Sequence, residues 1–284
     1  MSAYAASTSE VSLPVTVIRP SRGWMPLNLA ELWAYRELLY FLVWRDVKVR
    51  YKQAALGVAW VVLQPLFTMV VFSIFFGKLA KVPSDGIPYP VFAYCGLLPW
   101  QLFAHAVMES GNSLVNNQHL ITKVYFPRLL VPLAAVTAGL VDFGIAFVIL
   151  LAMMAGFHLM PTGAIVLLPA FVVLALAAAL AVGLWLSALN VQYRDVRHTL
   201  PFLTQCWLFL TPVVYPSTLV PGAWRMLYGL NPMAGVVEGF RWALLGTARA
   251  PGPWLLVSVA MVGALLVSGL YYFRRMERTF ADVV

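Results

Sequence analysis

Side chains able to do chemistry are few in this sequence, and they stand apart. His105, His119, His158 and His198 occur singly, with no spacing that would close around a metal ion, so no metal site is expected. Cys95 and Cys206 both fall inside apolar stretches, where a thiol packs as a small hydrophobe rather than joining a disulfide framework or a redox pair. No glycine-rich loop closes on the Lys-Ser/Thr pair that cradles nucleotide phosphates. The chain is therefore expected to be neither an enzyme nor the holder of a cofactor. If ATP and Mg drive its work, a separate polypeptide must bind them.

Three features keep a binding or proton-handling role open. Asp142 lies about 12 residues beyond Leu130, roughly 18 Å into an apolar stretch at 1.5 Å per residue. An acid at that depth serves as a proton relay or ion ligand, or else stays protonated or hydrogen-bonds a neighbouring helix. Glu109, at the end of another stretch, reads as solvated. The segment 112–128, Asn-Ser-Leu-Val-Asn-Asn-Gln-His-Leu-Ile-Thr-Lys-Val-Tyr-Phe-Pro-Arg, carries apolar residues that a solvated loop has little reason to display. Leu120, Ile121 and Val124 share a helical face by 3–4 spacing, and Pro127 ends that helix. Such a helix either docks a partner protein or packs back on the chain's own spans. Residues 29–52 hold Leu-Leu-Tyr-Phe-Leu-Val-Trp, too short to cross a bilayer, among Trp33, Arg36, Trp44, Arg45, Lys48, Arg50 and Lys52. That composition fits a helix in the headgroup layer, with rings at the interface and basic ends reaching anionic lipid, or a plain anchor.

The elements that position these residues follow from composition. Of 284 residues, 62% are hydrophobic and only 11% charged. A soluble domain is about half apolar and about one-quarter charged, so this chain belongs in a membrane. A formal charge of +8 then marks membrane orientation, and disorder or nucleic-acid binding is excluded. Residues 1–28 lack a basic start followed by an apolar core, so no cleaved signal peptide is expected there; they read as a flexible tail. A helix across about 30 Å of hydrocarbon takes roughly 20 residues. Charge-free runs and turn residues place spans over 54–77, 90–110, 130–157, 164–189, 199–215 and 254–273, the third and fourth separated at His158–Gly163. The segment 216–250 carries Arg225, Glu238, Arg241 and Arg249, and its apolar pieces, Met226–Val237 and Trp242–Leu245, are too short to cross. They read as short helices dipping into one membrane face. With the N-terminus inside, fourteen Lys and Arg fall on the cytoplasmic side against five outside (Lys78, Lys81, Arg225, Arg241 and Arg249). The expectation is an all-α integral membrane protein: six transmembrane helices, an N-terminal amphipathic interfacial helix, short re-entrant helices between spans five and six, and both termini cytoplasmic.

Four motifs in order give this pattern a relative. Asn117-Gln118-His119-Leu120-Ile121-Thr122-Lys123-Val124-Tyr125-Phe126-Pro127-Arg128 resembles the signature of ABC-2-type permeases that export polysaccharide. Asp46–Gln53 leading into Leu56-Gly57-Val58-Ala59-Trp60 is similar to that family's entry to its first span, and Asn190–Val196 to the loop after its fourth. Pro212–Pro216 and Asn231-Pro232-Met233 resemble its external region. The likeness covers residues 29–284 and is strongest to permeases of O-antigen (lipopolysaccharide) exporters; residues 1–28 match none of its motifs.

The resemblance implies a bacterial inner-membrane homodimer bound to two copies of a separate ABC ATPase, which carries the ATP and Mg. It implies that Asn117–Phe126 form the ATPase-coupling helix, with the interfacial helix as a second contact. It further implies that Pro216, Asn231, Pro232 and Glu238 belong to a periplasmic gate, and that the substrate is a glycan on undecaprenyl pyrophosphate. Beside this, Trp60, Phe67, Tyr94, Trp100 and Phe103 on the first two spans are candidates to line a channel, because rings offer apolar faces to the C–H faces of sugars. Each of them equally suits packing against lipid or protein. The lipid pyrophosphate would meet Arg45, Lys48, Arg50 and Lys52. An ABC-2 exporter of lipid or drug, an ATP-independent flippase or transferase using Asp142, and a membrane scaffold are the other readings.

Overall fold

A computed structural model describes residues 29–52, 57–193, 195–221, 224–246, 252–277 and 280, which form helices and connecting segments with no strand among them. The tail 1–28, and with it Arg19 and Arg22, lies outside the described residues, as do Gln53, Leu56, Arg194, Arg249 and Arg278. The helices run α1 (Leu29–Ala34), α2 (Arg36–Lys52), α3 (Gly57–Phe72), α4 (Tyr89–Asn116), α5 (Gln118–Lys123), α6 (Leu130–Gly156), α7 (Leu168–Gln192), α8 (Val196–Leu210), α9 (Arg225–Tyr228), α10 (Pro232–Leu245) and α11 (Trp254–Met276). A π-helical stretch, Ser73–Leu79, prolongs α3, and a 3-10 turn, Gly163–Leu167, leads into α7.

α4 is the axis of the bundle. From Val91 to Phe103 nearly every side chain is buried, because α3, α6, α7, α8 and α10 all pack on it. In a bilayer lipid is as apolar as leucine, so helices associate through close packing of small residues. α7 supplies Ala175, Ala178, Ala179, Gly183 and Ser187 as buried positions. A Cβ on Gly183 would lie 2.3 Å from the Ser110 hydroxyl of α4, which shows how near the two backbones come. α11 covers the other side of α7, where Trp185 stacks on Tyr272 at 4.4 Å.

Among the described residues, five helical segments are long and apolar enough to cross a membrane: Ala59–Leu79, Tyr89–Asn116, Leu130–Gly156, Gly163–Gln192 and Trp254–Met276. The expected span 199–215 differs. Its helix, α8, has 15 residues, about 22 Å, and the chain then extends, with Thr211–Val214 buried. Gly111 faces Leu200 and Gly96 faces the Val213 carbonyl. α8 and its extension therefore run antiparallel to α4 between these glycines, which lie about 22 Å apart along the helix. Pro212 cannot donate a hydrogen bond, so the helix stops where the sequence ruler had carried it on.

The two ends of the bundle are distinct. At one end, Leu42, Leu114, Ile121, Phe126, Leu130, Val191 and Phe273 form a buried cluster that gathers α2, α5 and the adjoining ends of α4, α6, α7 and α11. At the other, Thr162 bonds the Ala243 carbonyl at 2.7 Å and Tyr89 bonds the Val214 carbonyl at 2.7 Å. α10 lies at that end as one continuous helix, so the expected break between Val237 and Trp242 is absent. Asn231 caps its start by accepting from the Met233 amide at 3.1 Å, and Gly246 ends it in the left-handed region at φ 64°.

Candidate functional site

At the basic end, α4 continues six residues past its expected limit, to Asn116, before α5 begins. α5 spans only Gln118–Lys123, and Val124 leaves it in an extended conformation. Ile121 and Phe126 turn inward and are buried, Leu120 is half-buried, and Val124 and Tyr125 are 52% and 71% exposed. Gln118, His119, Thr122 and Lys123 are also exposed. The apolar residues thus divide: Ile121 and Phe126 anchor the segment to the bundle while Val124 and Tyr125 project from it. A groove of about 540 Å³ runs beside it, lined by Tyr125, Phe126, Arg128, Arg274 and Glu277. Glu277 ties this edge to α11: its Oε1 accepts from the Arg128 amide at 3.2 Å, and its backbone carbonyl accepts from the Arg128 guanidinium.

α2 packs along α6, and its basic residues fall into two sets. Trp33, Arg36, Trp44, Lys48 and Lys52 are exposed, with the Arg36 guanidinium 5.7 Å from the Trp33 ring and the Lys48 ammonium 4.1 Å from that of Trp44. Arg45 and Arg50 point inward. Arg45 donates to Asp46 at 2.7 Å and to the Asn117 side chain at 2.8 Å. Arg50 donates to one oxygen of Asp142 and the Tyr51 hydroxyl donates to the other. Burial is the largest influence on the Tyr51 phenol and raises its pKa, with the bonded Asp142 adding to the rise.

Above this contact a cavity of about 580 Å³ opens between α3, α4 and α6, lined by Arg50, Trp60, Gln64, Gln101, His105, Asp142 and Phe143 among others. His105 Nε2 stands 3.9 Å from Asp142, beyond hydrogen-bond reach.

At the opposite end, α10 grips the extended segment after α8 with its two charged side chains. Arg241 is buried, donates to the carbonyls of Pro212 at 2.5 Å, Val213 at 2.6 Å and Tyr215 at 3.2 Å, and lies 3.7 Å from the Phe92 ring. Glu238, also buried, accepts from Ser217. Burial pushes its carboxyl above the usual carboxylate range, while Ser217 and Arg241 pull the other way. Tyr215 and Tyr228 share a hydroxyl–hydroxyl bond of 2.8 Å.

With the α5 end, the cavity and the Arg241 contacts in place, comparison with known proteins decides the class. The family model of ABC-2 type transporters matches residues 37–245. This chain belongs to the ABC-2 type transporter family. Among its relatives, the O-antigen export system permease protein RfbA of Myxococcus xanthus is 33% identical over 260 residues, which cover 89% of this chain and 98% of the relative. The protein of the same name from Klebsiella pneumoniae is 27% identical over 262 residues, 92% and 98% of the two chains. The polysialic acid transport protein KpsM of Escherichia coli is 23% identical over 235 residues, 82% and 91% of the two chains.

In this ABC-2 chain the candidate channel aromatics do not form one lining. Tyr94, Trp100 and Phe103 are buried in the protomer, the Tyr94 hydroxyl bonds the Ala146 carbonyl at 3.3 Å, and Phe103 packs edge-on against Trp207 at 5.1 Å. Trp60 and Phe67, at 60% and 64% exposure, remain at the surface. Of the external residues, Pro216, Pro232 and Glu238 are buried, and Asn231 binds Trp207 at 3.0 Å and Thr211 at 3.0 Å. Cys95 is buried but Cys206 is exposed on α8. Residue types alone assigned Arg45 and Arg50 to lipid headgroups, and left Asp142 either a proton relay or ion ligand or an acid that stays protonated or bonds a neighbouring helix; here it bonds α2. They gave Tyr51 and Arg241 no role, because the Arg50–Asp142 contact joins residues 92 apart in the chain.

Proposed function

We propose that this chain is the transmembrane subunit of an ATP-driven exporter that moves undecaprenyl-linked O-antigen, or a related polysaccharide, out of the cytoplasm through the bacterial inner membrane. The pathway lies between two copies of the chain, and two copies of an ABC ATPase dock on the cytoplasmic side, where both termini lie. The observation that carries this reading is the projecting Val124–Tyr125 pair just beyond α5, held by buried Ile121 and Phe126, in a chain matched along nearly its whole length by an O-antigen export permease. Exposed apolar residues anchored from behind suit a groove on a partner protein better than water does.

Other surfaces fit the same assembly. Trp60 and Phe67 on α3, with Phe202 and Phe209 on α8, leave aromatic faces outside the protomer, available to a second copy or to the C–H faces of passing sugars. Lys48 and Lys52, which stay exposed, are better placed than Arg45 and Arg50 to meet the lipid pyrophosphate. The clamped segment 211–217 and α9 supply the periplasmic gate.

The test is co-expression with an ABC ATPase from the same gene cluster. Val124→Asp and Tyr125→Asp should lower recovery of the ATPase with the membrane subunit by roughly tenfold or more, as for hot-spot anchors. The melting temperature of the subunit itself should stay put, since both side chains are exposed. Undiminished complex and undiminished export in both variants would exclude α5 as the docking element.

A further inference from the structure

The last turns of α2 are fastened at two places that belong to different parts of the molecule. Arg45 bonds Asn117 at 2.8 Å, and Asn117 is the residue that joins α4 to α5. About a turn and a half later, Arg50 and Tyr51 take both carboxylate oxygens of Asp142, in the fourth turn of α6. Beyond Lys52 the chain proceeds to α3, whose Trp60 and Gln64 share a cavity with Arg50, His105 and Asp142. α2 is thus a short rigid strut, with the α5 end at one attachment and the junction of α3 with α6 at the other.

We propose that Arg50, Tyr51 and Asp142 form a latch through which displacement of the α5 end reaches α3 and α6, so that they act as positioning residues for transport. The inference rests on the reading of α5 as the ATPase-docking element. Two donors from adjacent residues on one carboxylate fix the rotation of α2 as well as its distance from α6. The ion pair is mostly shielded, with side-chain exposures of 23% and 20%. Separating such a pair without replacement leaves charge uncompensated, so the latch resists small displacements and yields to large ones. His105, at 3.9 Å from the carboxylate, is the group placed to receive Asp142 when Arg50 withdraws. An acid engaged on both oxygens is also poorly placed to shuttle protons on its own, which assigns Asp142 a mechanical part.

The experiment uses the full chain in complex with its ATPase and measures complex yield, ATP hydrolysis and polysaccharide exported per ATP. Asp142→Asn should keep yield and hydrolysis within about twofold yet lower export per ATP by roughly tenfold, the scale of mutations along a coupling element. Arg50→Lys should retain most coupling, and the exchanged pair Arg50→Asp with Asp142→Arg should recover a large part of what Asp142→Asn loses. Lys78→Gln, exposed in the π-helical stretch that prolongs α3, should change nothing. Normal export per ATP in Asp142→Asn overturns the latch, as does a loss that merely tracks complex yield, or an exchanged pair that recovers nothing. If the unmodified chain is neither bound nor driven by an ATPase, the proposed function itself fails. If the unmodified complex works and every variant stays coupled, only the latch fails.

Discussion

Glu238 and Arg241 show how charge can sit inside an apolar bundle without being catalytic. Arg241 supplies donors to backbone carbonyls that the end of α8 leaves unpaired, an obligatory need for buried backbone. Glu238 keeps one oxygen on Ser217 while its other oxygen, Oε2, has no hydrogen-bond partner among the described residues. Because burial raises its pKa, folding favours the protonated carboxyl. Its contribution is therefore most favourable below the unfolded value near 4.5, and it is lost as pH rises through the higher folded value. The melting temperature of the purified protein should fall as pH rises above the unfolded value, and Glu238→Gln should flatten that fall. An equal pH dependence in wild type and Glu238→Gln would show that this carboxyl titrates as it does in the unfolded chain. A composition-based reading notes these residues only as interruptions of an apolar run, since nothing local announces that the carbonyls of 212–215 will be there to meet Arg241.

Helix lengths were legible where lipid alone sets them and less so where protein does. α6 starts and stops within a residue of its apolar run because turn residues bound it. α4 overruns its own run by six residues, through Gly111–Asn116, because Asn190 of α7 bonds the Gly111 carbonyl at 3.0 Å and the Asn112 side chain at 3.1 Å, and Leu114 is buried. Those partners are nearly eighty residues away and invisible to a window of twenty. The same close approach makes α4 and α7 sensitive to added volume. Gly183→Val should destabilise the protein by about 1–3 kcal/mol, the range for overpacking a close-packed site. Gly144→Ala, in α6 with nothing within 4 Å of the added carbon, should stabilise by about 0.5–1 kcal/mol through helix propensity. Thermal unfolding of the two variants in one detergent tests the pair, and equal effects would contradict the α4–α7 contact.

On the scale of the whole molecule, the buried cluster of Leu42, Phe126, Val191 and Phe273 places α2, the segment after α5 and the end of α11 together. The α6–α7 turn and α10 meet at the other end. Five long helices alone would leave α2 and the end of α11 apart. The short α8 with its extension supplies the further passage that brings them together. In a Cys206→Ala background, a cysteine replacing exposed Met160 should react with a membrane-impermeant maleimide from the periplasm, and one replacing Lys123 should not. Labelling of both from one side would refute this arrangement.

What the sequence determined by itself was the membrane, the helical class, the distribution of basic residues and the family. Each is written in composition, in the roughly 20-residue length that hydrocarbon imposes or in a contiguous motif. What only the tertiary structure decided were the pairings: Arg50 and Tyr51 with Asp142, Arg45 with Asn117, Arg241 with the carbonyls after α8, and the burial of Tyr94, Trp100 and Phe103. The physical reason is range. Hydropathy is summed over neighbours in the chain, whereas a buried hydrogen bond or ion pair depends on which helix faces lie side by side. That arrangement follows from the close packing of small residues on α4 and α7 across long sequence separations.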